Sequence, residues 1–270
     1  MRIALTIAGS DSSGGAGIQA DLKTFQAHGV FGMSAVTAVT VQNTQKVYAI
    51  QKMRPQIVYD QIVCLFDDTP IHAVKIGMVA GTDLIAAIAD ALNNVPAPAI
   101  VLDPVMISKS GFPLLPQESA QALVEKLFPL AQVVTPNIHE AEKLVGYEIR
   151  NVTEMQKAAV MIAELGASNV VVKGGHLGDA DATDILYDGR DFQQIRSPRI
   201  KTTNTHGTGC TFSSAIAANL AIGKDFFEAV TQAKTYITGA IEHALDIGKG
   251  HGPTHHFFDL YAKAGMEAKI

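Results

Sequence analysis

The chain has 270 residues, of which 47% are hydrophobic, and its 21 Lys and Arg against 26 Asp and Glu give a formal net charge of −5. This length suits one large α/β domain. We predict a single domain over residues 1–270, because no Pro/Ser-rich or charge-rich linker interrupts the chain. The acidic balance, without a basic run, argues against nucleic acid or an anionic membrane surface as a partner. A small-molecule partner is favoured instead.

The apolar runs and the cysteine content indicate the compartment. Gly, Asp or Lys interrupts every apolar run well before the ~18 residues that a membrane span requires, so we expect a soluble protein. The two cysteines are Cys64 and Cys210. A secreted domain built on disulfides uses more, so we predict a cytoplasmic location. Cys64 falls in an apolar helical segment and is predicted to pack in the core.

The first predicted unit is a strand over Ile3–Ala8, a glycine loop, and a helix over Ile18–His28. It superficially resembles a dinucleotide fingerprint, but the gaps within Gly14–Gly17 do not fit G-x-G-x-x-G. Asp21 lies one turn into the helix. It can bind a hydroxyl or amine of a ligand, or it can be a solvated carboxylate that the helix dipole favours. Both interpretations stay open.

A second strand, Met33–Val41, ends in Gln42-Asn43-Thr44. In parallel sheets, ligands bind beyond the carboxyl ends of strands. Gln42 both donates and accepts, which suits the edge of an aminopyrimidine or an amide, although a simple polar turn explains it as well. The next predicted strands are Val47–Met53, Ala73–Ile76, Ala99–Leu102, Gln132–Thr135 and Asn169–Val172, and the helices among them are Pro55–Phe66, Asp83–Asn93, Ser119–Leu127 and Thr153–Leu165.

Several of these strands are followed by polar residues. Asp103 stands where a carboxylate can hold magnesium directly or through water, and Lys109 follows in a loop that can reach phosphates. Asn137 and Glu140 are three residues apart, which puts them on one helix face. They fit a capping box and the positioning of magnesium equally well, and these roles are compatible. Lys173 again places a charge at a strand end.

Beyond Lys173, Thr183–Tyr187 and Asp191–Arg196 are joined by Asp188-Gly189, which indicates a hairpin at one edge of the sheet. A long helix is predicted near the end of the chain, over Asp225–Leu245. Together with the repeated strand-then-helix units, this predicts a three-layer αβα fold with a mostly parallel central sheet and an antiparallel edge. The polar strand ends then converge on one site.

The segment Thr205–Ala221 contains a glycine turn followed by an amphipathic helix. The first N–H groups of a helix lack internal partners and attract anions, and glycines let an anion approach the backbone. We therefore predict an anion-binding turn made by Gly207, Thr208, Gly209 and Cys210. The same field predicts a lowered pKa for the Cys210 thiol. A glycine turn that only caps a buried helix is the alternative.

The ordered motifs of the chain resemble those of the hydroxymethylpyrimidine and phosphohydroxymethylpyrimidine kinases of thiamin synthesis, within the ribokinase-like superfamily. The resemblance covers nearly the whole chain. Each motif alone is weak, and the ordered set is strong. The motifs are Ala8–Ser12, Gly15–Asp21, Val41–Thr44, Lys75–Met78, Asp103–Met106, Thr135–Asn137, Glu140-Ala141, Lys173–His176 and His206–Cys210.

This resemblance implies a ribokinase-like fold and two successive phosphoryl transfers from MgATP. The acceptors are the hydroxymethyl group of 4-amino-5-hydroxymethyl-2-methylpyrimidine and then its monophosphate. It also implies a homodimer. The roles that it implies for the substrate are Gln42 on the pyrimidine edge, with Gly9, Asp21, Val41, Met78 and Val105 around the ring. The turn of Gly207, Thr208, Gly209 and Cys210 is the anion hole, and Cys210 stands where a base would take the hydroxyl proton; whether it acts as that base or only completes the anion hole stays open. Lys173 and Lys109 lie near ATP, and Asp103, Asn137 and Glu140 lie at magnesium.

The wider sugar-kinase superfamily has an aspartate where this chain has Cys210. This difference matches the pyrimidine-kinase branch. Two alternatives remain: a pyridoxal or pyridoxine kinase of vitamin B6 salvage, and a non-catalytic nucleotide- or vitamin-binding protein on the same fold. The amide of Gln42 favours the pyrimidine over pyridoxal.

Overall fold

The computed structural model describes residues 1–96, 98–107, 111, 114–115, 117–175 and 181–266. Within these residues, nine strands form one sheet with helices on both faces. The strands are β1 (Ile3–Ser10), β2 (Phe31–Gln42), β3 (Val47–Lys52), β4 (Ala73–Ile76), β5 (Ala99–Leu102), β6 (Val133–Val134), β7 (Asn169–Lys173), β8 (Asp181–Tyr187) and β9 (Phe192–Pro198). The helices are α1 (Gly17–Ala27), α2 (Pro55–Asp68), α3 (Thr82–Asn93), α4 (Gln117–Leu127), α5 (Ile138–Val145), α6 (Val152–Ala163), α7 (Thr208–Ala221), α8 (Phe226–Glu242) and α9 (Phe258–Lys263).

The sheet has a parallel centre and two antiparallel edges. Its order is β3-β2-β1-β4-β5-β6-β7-β8-β9. The strands from β2 to β7 in this order run parallel, whereas β3, β8 and β9 are antiparallel to their neighbours. The predicted fold class is confirmed. At the β8–β9 hairpin, the Asp188 carboxylate accepts from the backbone N–H groups of Arg190 and Asp191, at 2.9 and 2.7 Å.

Two hydrophobic clusters lie on opposite faces of the sheet. Leu5 and Ile7 of β1 pack with α2 to α6, whereas their neighbour Ala4 packs with α1, α7 and α8. Alternate residues of a strand point to opposite faces, so a strand covered on both faces reads as a continuous apolar run. This explains why the short central strands were visible in the sequence. No helix within the described ranges combines the length and apolar character needed to cross a membrane.

A buried ion pair lies on the face of the sheet that α1 and α7 cover. Lys75 of β4 lies 2.9 Å from Asp21 of α1, and both side chains are fully buried. The Asp21 carboxylate also accepts from the hydroxyl groups of Thr6 on β1, at 2.6 Å, and Ser214 on α7, at 2.7 Å. A buried charge pair is tolerated only when further hydrogen bonds satisfy it. This network therefore fixes α7 against β1 and β4.

Candidate active site

A cavity of about 630 Å³ lies beyond the carboxyl ends of the parallel strands. This volume is typical of small-molecule sites. It brings together most of the residues that the sequence singled out. Those that line it are Gly9, Gln42, Met78, Asp103, Val105, Asn137, Glu140, Lys173, Gly207, Thr208, Gly209 and Cys210.

The glycine turn lies at the start of α7. Gly207 precedes the helix with a φ of 80°, and a Cβ at this position would overlap the carbonyl oxygen of Gly15. Only glycine therefore fits both the backbone conformation and the close approach of the two loops. The Thr208 hydroxyl donates to the carbonyl of Thr205 at 2.8 Å. The turn leaves the first N–H groups of α7, which have no partner inside the helix, at the cavity.

Two opposite charges lie beside this turn. Lys173 donates to a carboxylate oxygen of Asp103 at 2.9 Å, and Thr135 donates to the same oxygen at 3.0 Å. A Cβ built on Gly209 would lie 3.4 Å from the other Asp103 oxygen and 3.6 Å from the Lys173 ammonium, so both charged groups lie directly beside the first turn of α7. The cavity thus combines backbone N–H groups with a fixed lysine, which suits a phosphoryl group.

Burial and pairing oppose each other in this charge pair. Burial disfavours the charged form of Asp103, but Lys173 and Lys75 hold the pKa of this carboxyl below its usual value. Burial likewise disfavours the ammonium of Lys173, but Asp103 and Glu140 raise its pKa. Asp103 is therefore a carboxylate and Lys173 a cation at neutral pH.

The capping interpretation of Asn137 and Glu140 is confirmed. The Asn137 side chain accepts from the Glu140 backbone N–H at 3.0 Å, and the Glu140 carboxylate accepts from the Asn137 N–H at 2.8 Å. Burial, together with the nearby Asp103 charge, raises the pKa of Glu140 to about 7, against the opposing effect of Lys173. The capping box holds the Glu140 carboxylate at the cavity, close enough to Asp103 for the two charges to interact.

These residues fit magnesium as it is usually held. Mg²⁺ in phosphate-transfer sites binds one or two carboxylates, water and the phosphates of the substrate. Asp103 and Glu140 supply two carboxylates at the cavity. The described residues contain no group of three or more His, Cys, Asp or Glu that could hold a metal ion by themselves. The donor set therefore suits a metal that arrives with phosphate oxygens.

The predicted low pKa of Cys210 is wrong. Burial raises the pKa of this thiol to about 11, and the opposing effect of the Lys75 cation is smaller. The helix N-terminus points to a stabilised thiolate, but the charge of Asp21 offsets that of Lys75. Cys210 therefore carries a neutral thiol at neutral pH. Cys64, predicted to pack in the core, is exposed.

Two of the residues expected around the substrate ring, Asp21 and Val41, do not line the cavity. Asp21 is fully buried in its pair with Lys75 and does not line the cavity. Val41 is 58% exposed on the other face of β2, because Thr40 and Gln42, its neighbours on the strand, point into the cavity. Lys109 lies outside the described residues, so its expected role near ATP stays a prediction.

Sequence reasoning also missed residues at the cavity. Asp184 accepts from the Gly174 N–H at 3.0 Å and from Lys234 at 2.7 Å, and both charged side chains line the cavity. They are distant in sequence, and no local pattern marks them. Asp11 and His206 also line the cavity and lie 2.8 Å apart. Both stand within motifs that carry the family resemblance, which is the signal that could have found them.

A family model for phosphomethylpyrimidine kinase matches residues 11–255 of the chain. The chain belongs to this family. It is 52% identical over 258 residues to the hydroxymethylpyrimidine/phosphomethylpyrimidine kinase of Rhizobium meliloti, covering 94% of this chain and 97% of that protein. It is 50% identical over 252 residues to the thiamine biosynthesis bifunctional protein ThiED of Geobacter sulfurreducens. That match covers 93% of this chain but spans only about half, 51%, of the bifunctional protein.

Solved structures of the family share the fold. The phosphomethylpyrimidine kinase of Clostridium difficile superimposes with a TM-score of 0.80 at 47% identity, covering 89% of this chain and 100% of that one. An ADP complex of the Bacillus subtilis pyridoxal kinase gives a TM-score of 0.88 at 42% identity, covering 95% and 98%. The chain is therefore a kinase with a ribokinase-like fold, and its structural neighbours include pyridoxal kinases.

The raised pKa of Cys210 predicts slow alkylation that accelerates with pH. In a Cys64→Ser variant, which leaves Cys210 as the one cysteine, we expect the iodoacetamide reaction rate to rise about tenfold per pH unit between pH 7 and 9, because the thiolate is the nucleophile. Mass spectrometry of timed samples measures the rate. A rate that levels off between pH 7 and 8 would contradict a raised pKa and would support the lowered pKa predicted from the sequence.

The overlap that a Cβ at position 207 would make with the Gly15 carbonyl oxygen predicts a specific loss of catalysis. We expect Gly207→Ala to lower kcat at least about 100-fold, because the backbone donors of the turn are displaced. Gly223→Ala is the matched control: Gly223 follows the same helix with a φ of 94°, but a Cβ added there would meet nothing within 4 Å. Both variants carry backbone strain. Equal kcat values in the two would mean that the turn does not take part in phosphoryl transfer.

Proposed function

We propose that this kinase phosphorylates 4-amino-5-hydroxymethyl-2-methylpyrimidine with ATP, first at the hydroxymethyl group and then at the resulting monophosphate, in the biosynthesis of thiamin diphosphate. The observation that carries the proposal is the composition of one cavity. The Gln42 amide, the Gly207–Cys210 turn, Lys173 and Asp103 all line it. The names of the relatives, at about 50% identity over most of the chain, support it.

In this proposal, the ring lies among Gly9, Met78 and Val105, and the Gln42 amide binds its amino edge. The hydroxymethyl oxygen then faces the Gly207–Cys210 turn, and the backbone donors of the turn, with Lys173, stabilise the charge on the transferring phosphoryl group. Phosphoryl transfer depends mainly on positioning and charge stabilisation.

The neutral thiol limits what Cys210 can do. A loose transition state demands little of a base, because the hydroxyl proton becomes acidic only late in the reaction. A thiol with a pKa of about 11 therefore serves as a hydrogen-bonding group at the acceptor oxygen rather than as a preformed thiolate. Bound magnesium supplies neutralisation of phosphate charge. Asp103 and Glu140 would hold it, and Asn137 fixes the position of Glu140 through the capping box.

Pyridoxal is the second candidate substrate. The observation that favours it is the TM-score of 0.88 and 42% identity to the Bacillus subtilis pyridoxal kinase. Pyridoxal is a ring of similar size with a hydroxymethyl arm, so the same anion turn can serve it. The two candidates differ at the ring edge, where the Gln42 amide lies.

The deciding experiment incubates the purified protein with MgATP and 4-amino-5-hydroxymethyl-2-methylpyrimidine, with pyridoxal in parallel, and follows products by mass spectrometry. We expect the pyrimidine monophosphate and then the diphosphate. Phosphorylation of pyridoxal alone would replace the first proposal by the second. ATP binding without any product would leave only a non-catalytic binding protein, and it would refute both kinase activities.

We also propose a cytoplasmic homodimer built from one domain per chain. The one nine-stranded sheet of the described residues supports the single domain. An exposed apolar pair on β2, Val39 at 46% and Val41 at 58% exposure, supports a covered surface between two copies. Sedimentation velocity measures the mass in solution. A species near 28.6 kDa at micromolar concentration would contradict the dimer.

A further inference from the structure

One histidine lies between an ionised carboxylate and the predicted substrate-binding amide. The Nε2 atom of His206 is 2.8 Å from a carboxylate oxygen of Asp11 and 3.3 Å from the side-chain nitrogen of Gln42. Asp11 and His206 are buried, with 3% and 8% of their surface exposed. The predicted mechanism gives neither of them a role, although both line the cavity.

Asp11 is held as an anion. Its carboxylate accepts from the Ser13 N–H at 2.8 Å and hydroxyl at 2.7 Å, and from the N–H groups of Gly15 and Ala16 at 3.1 and 2.8 Å. Burial opposes the charge, but hydrogen bonds from His206 and Ser13 lower its pKa to about 2. An ionised carboxylate only accepts. The proton between Asp11 and His206 therefore belongs to Nε2 of the imidazole.

A protonated Nε2 decides which way the Gln42 amide points. Nε2–H can only donate. The amide nitrogen of Gln42, 3.3 Å away, is also a donor, so the two atoms cannot form a hydrogen bond with each other. Amide oxygen and nitrogen are assigned from their hydrogen-bond partners. Turning the amide by about 180° places its oxygen on Nε2–H, where it shares the proton with Asp11.

The other end of the amide supports the same orientation. The Thr40 hydroxyl lies 3.4 Å from the second amide atom of Gln42 and already donates its hydrogen to the Ser10 carbonyl at 2.9 Å. It can therefore only accept from Gln42, which requires the amide nitrogen on that side. Both neighbours of Gln42 thus select one orientation.

We propose that His206, held by Asp11, is a positioning residue that fixes the amide of Gln42 and so makes the cavity selective for an aminopyrimidine edge. The inference rests on the proposed function. An amino group beside a ring nitrogen offers one donor and one acceptor. The amide that binds this edge must therefore present its oxygen to the amino group and its nitrogen to the ring nitrogen. A site built to hydrogen-bond such an edge discriminates strongly against rings that lack it. His206 also directly precedes the anion turn, which connects recognition of the ring with phosphoryl transfer.

Kinetics with two substrates test the inference. The first is the aminopyrimidine alcohol, and the second is its analogue with hydrogen in place of the amino group. We expect His206→Leu to lower kcat/KM for the first substrate about 10- to 100-fold, mainly through KM, because a buried amide loses its donor. The expected loss for the analogue is less than about threefold, because the analogue does not use that hydrogen bond.

Two further variants separate positioning from folding. His206→Gln keeps an N–H donor and should restore most of the selectivity for the amino group. His28→Leu removes a half-buried histidine of the α1 C-terminus, whose ring contacts the Thr24 carbonyl outside the cavity, and should leave selectivity unchanged. An equal loss of kcat/KM on both substrates in His206→Leu, with normal wild-type turnover, would overturn the inference and leave the proposed function intact.

A measurement independent of activity examines the tautomer. Nitrogen NMR of histidine-labelled protein, with the His206 signals identified by their loss in His206→Gln, should show Nε2 protonated in the wild type. An unprotonated Nε2 overturns the inference, whatever the activity. Wild-type protein that phosphorylates neither pyrimidine would refute the proposed function, and substrate selectivity at Gln42 would then be refuted with it.

Discussion

The buried pair of Asp21 and Lys75 is the interaction on which the site depends. It lies where four elements meet, and hydroxyl groups from Thr6 and Ser214 complete its hydrogen bonds. Removing one partner from such a pair leaves an uncompensated buried charge, which costs about 3–5 kcal/mol. Because Ser214 belongs to α7, the same network sets the position of the helix whose first turn forms the anion site.

The two lysines that act electrostatically on Cys210, at the anion turn, are both paired with carboxylates. Lys173 is paired with Asp103, and Lys75 with Asp21. The positive potential at the turn therefore comes from the backbone N–H groups of α7 together with one paired lysine. Preorganised donors of this kind need no rearrangement during the reaction. The neutral thiol of Cys210 agrees with this arrangement, since a thiolate would repel the incoming phosphate.

Local sequence signals predicted the elements and much of the site. The glycine turn before α7 and the capping box of Asn137 and Glu140 were found because each is encoded within a few consecutive residues. The central strands were found because both faces are covered, which makes them continuous apolar runs. The short helix α9 was missed, since its six residues carry too weak a periodicity to stand out.

The sequence by itself determined the α/β architecture, the position of the anion turn and the family, because these depend on periodicity, glycine spacing and ordered motifs. Only the tertiary structure decided which charged side chains are paired and which are buried. It paired Asp21 with Lys75, 54 residues away, raised the pKa of Cys210 by burial, and brought Asp11 to His206 across 195 residues. Desolvation and pairing depend on which distant groups meet. No local sequence pattern predicts contacts between groups so far apart in the chain.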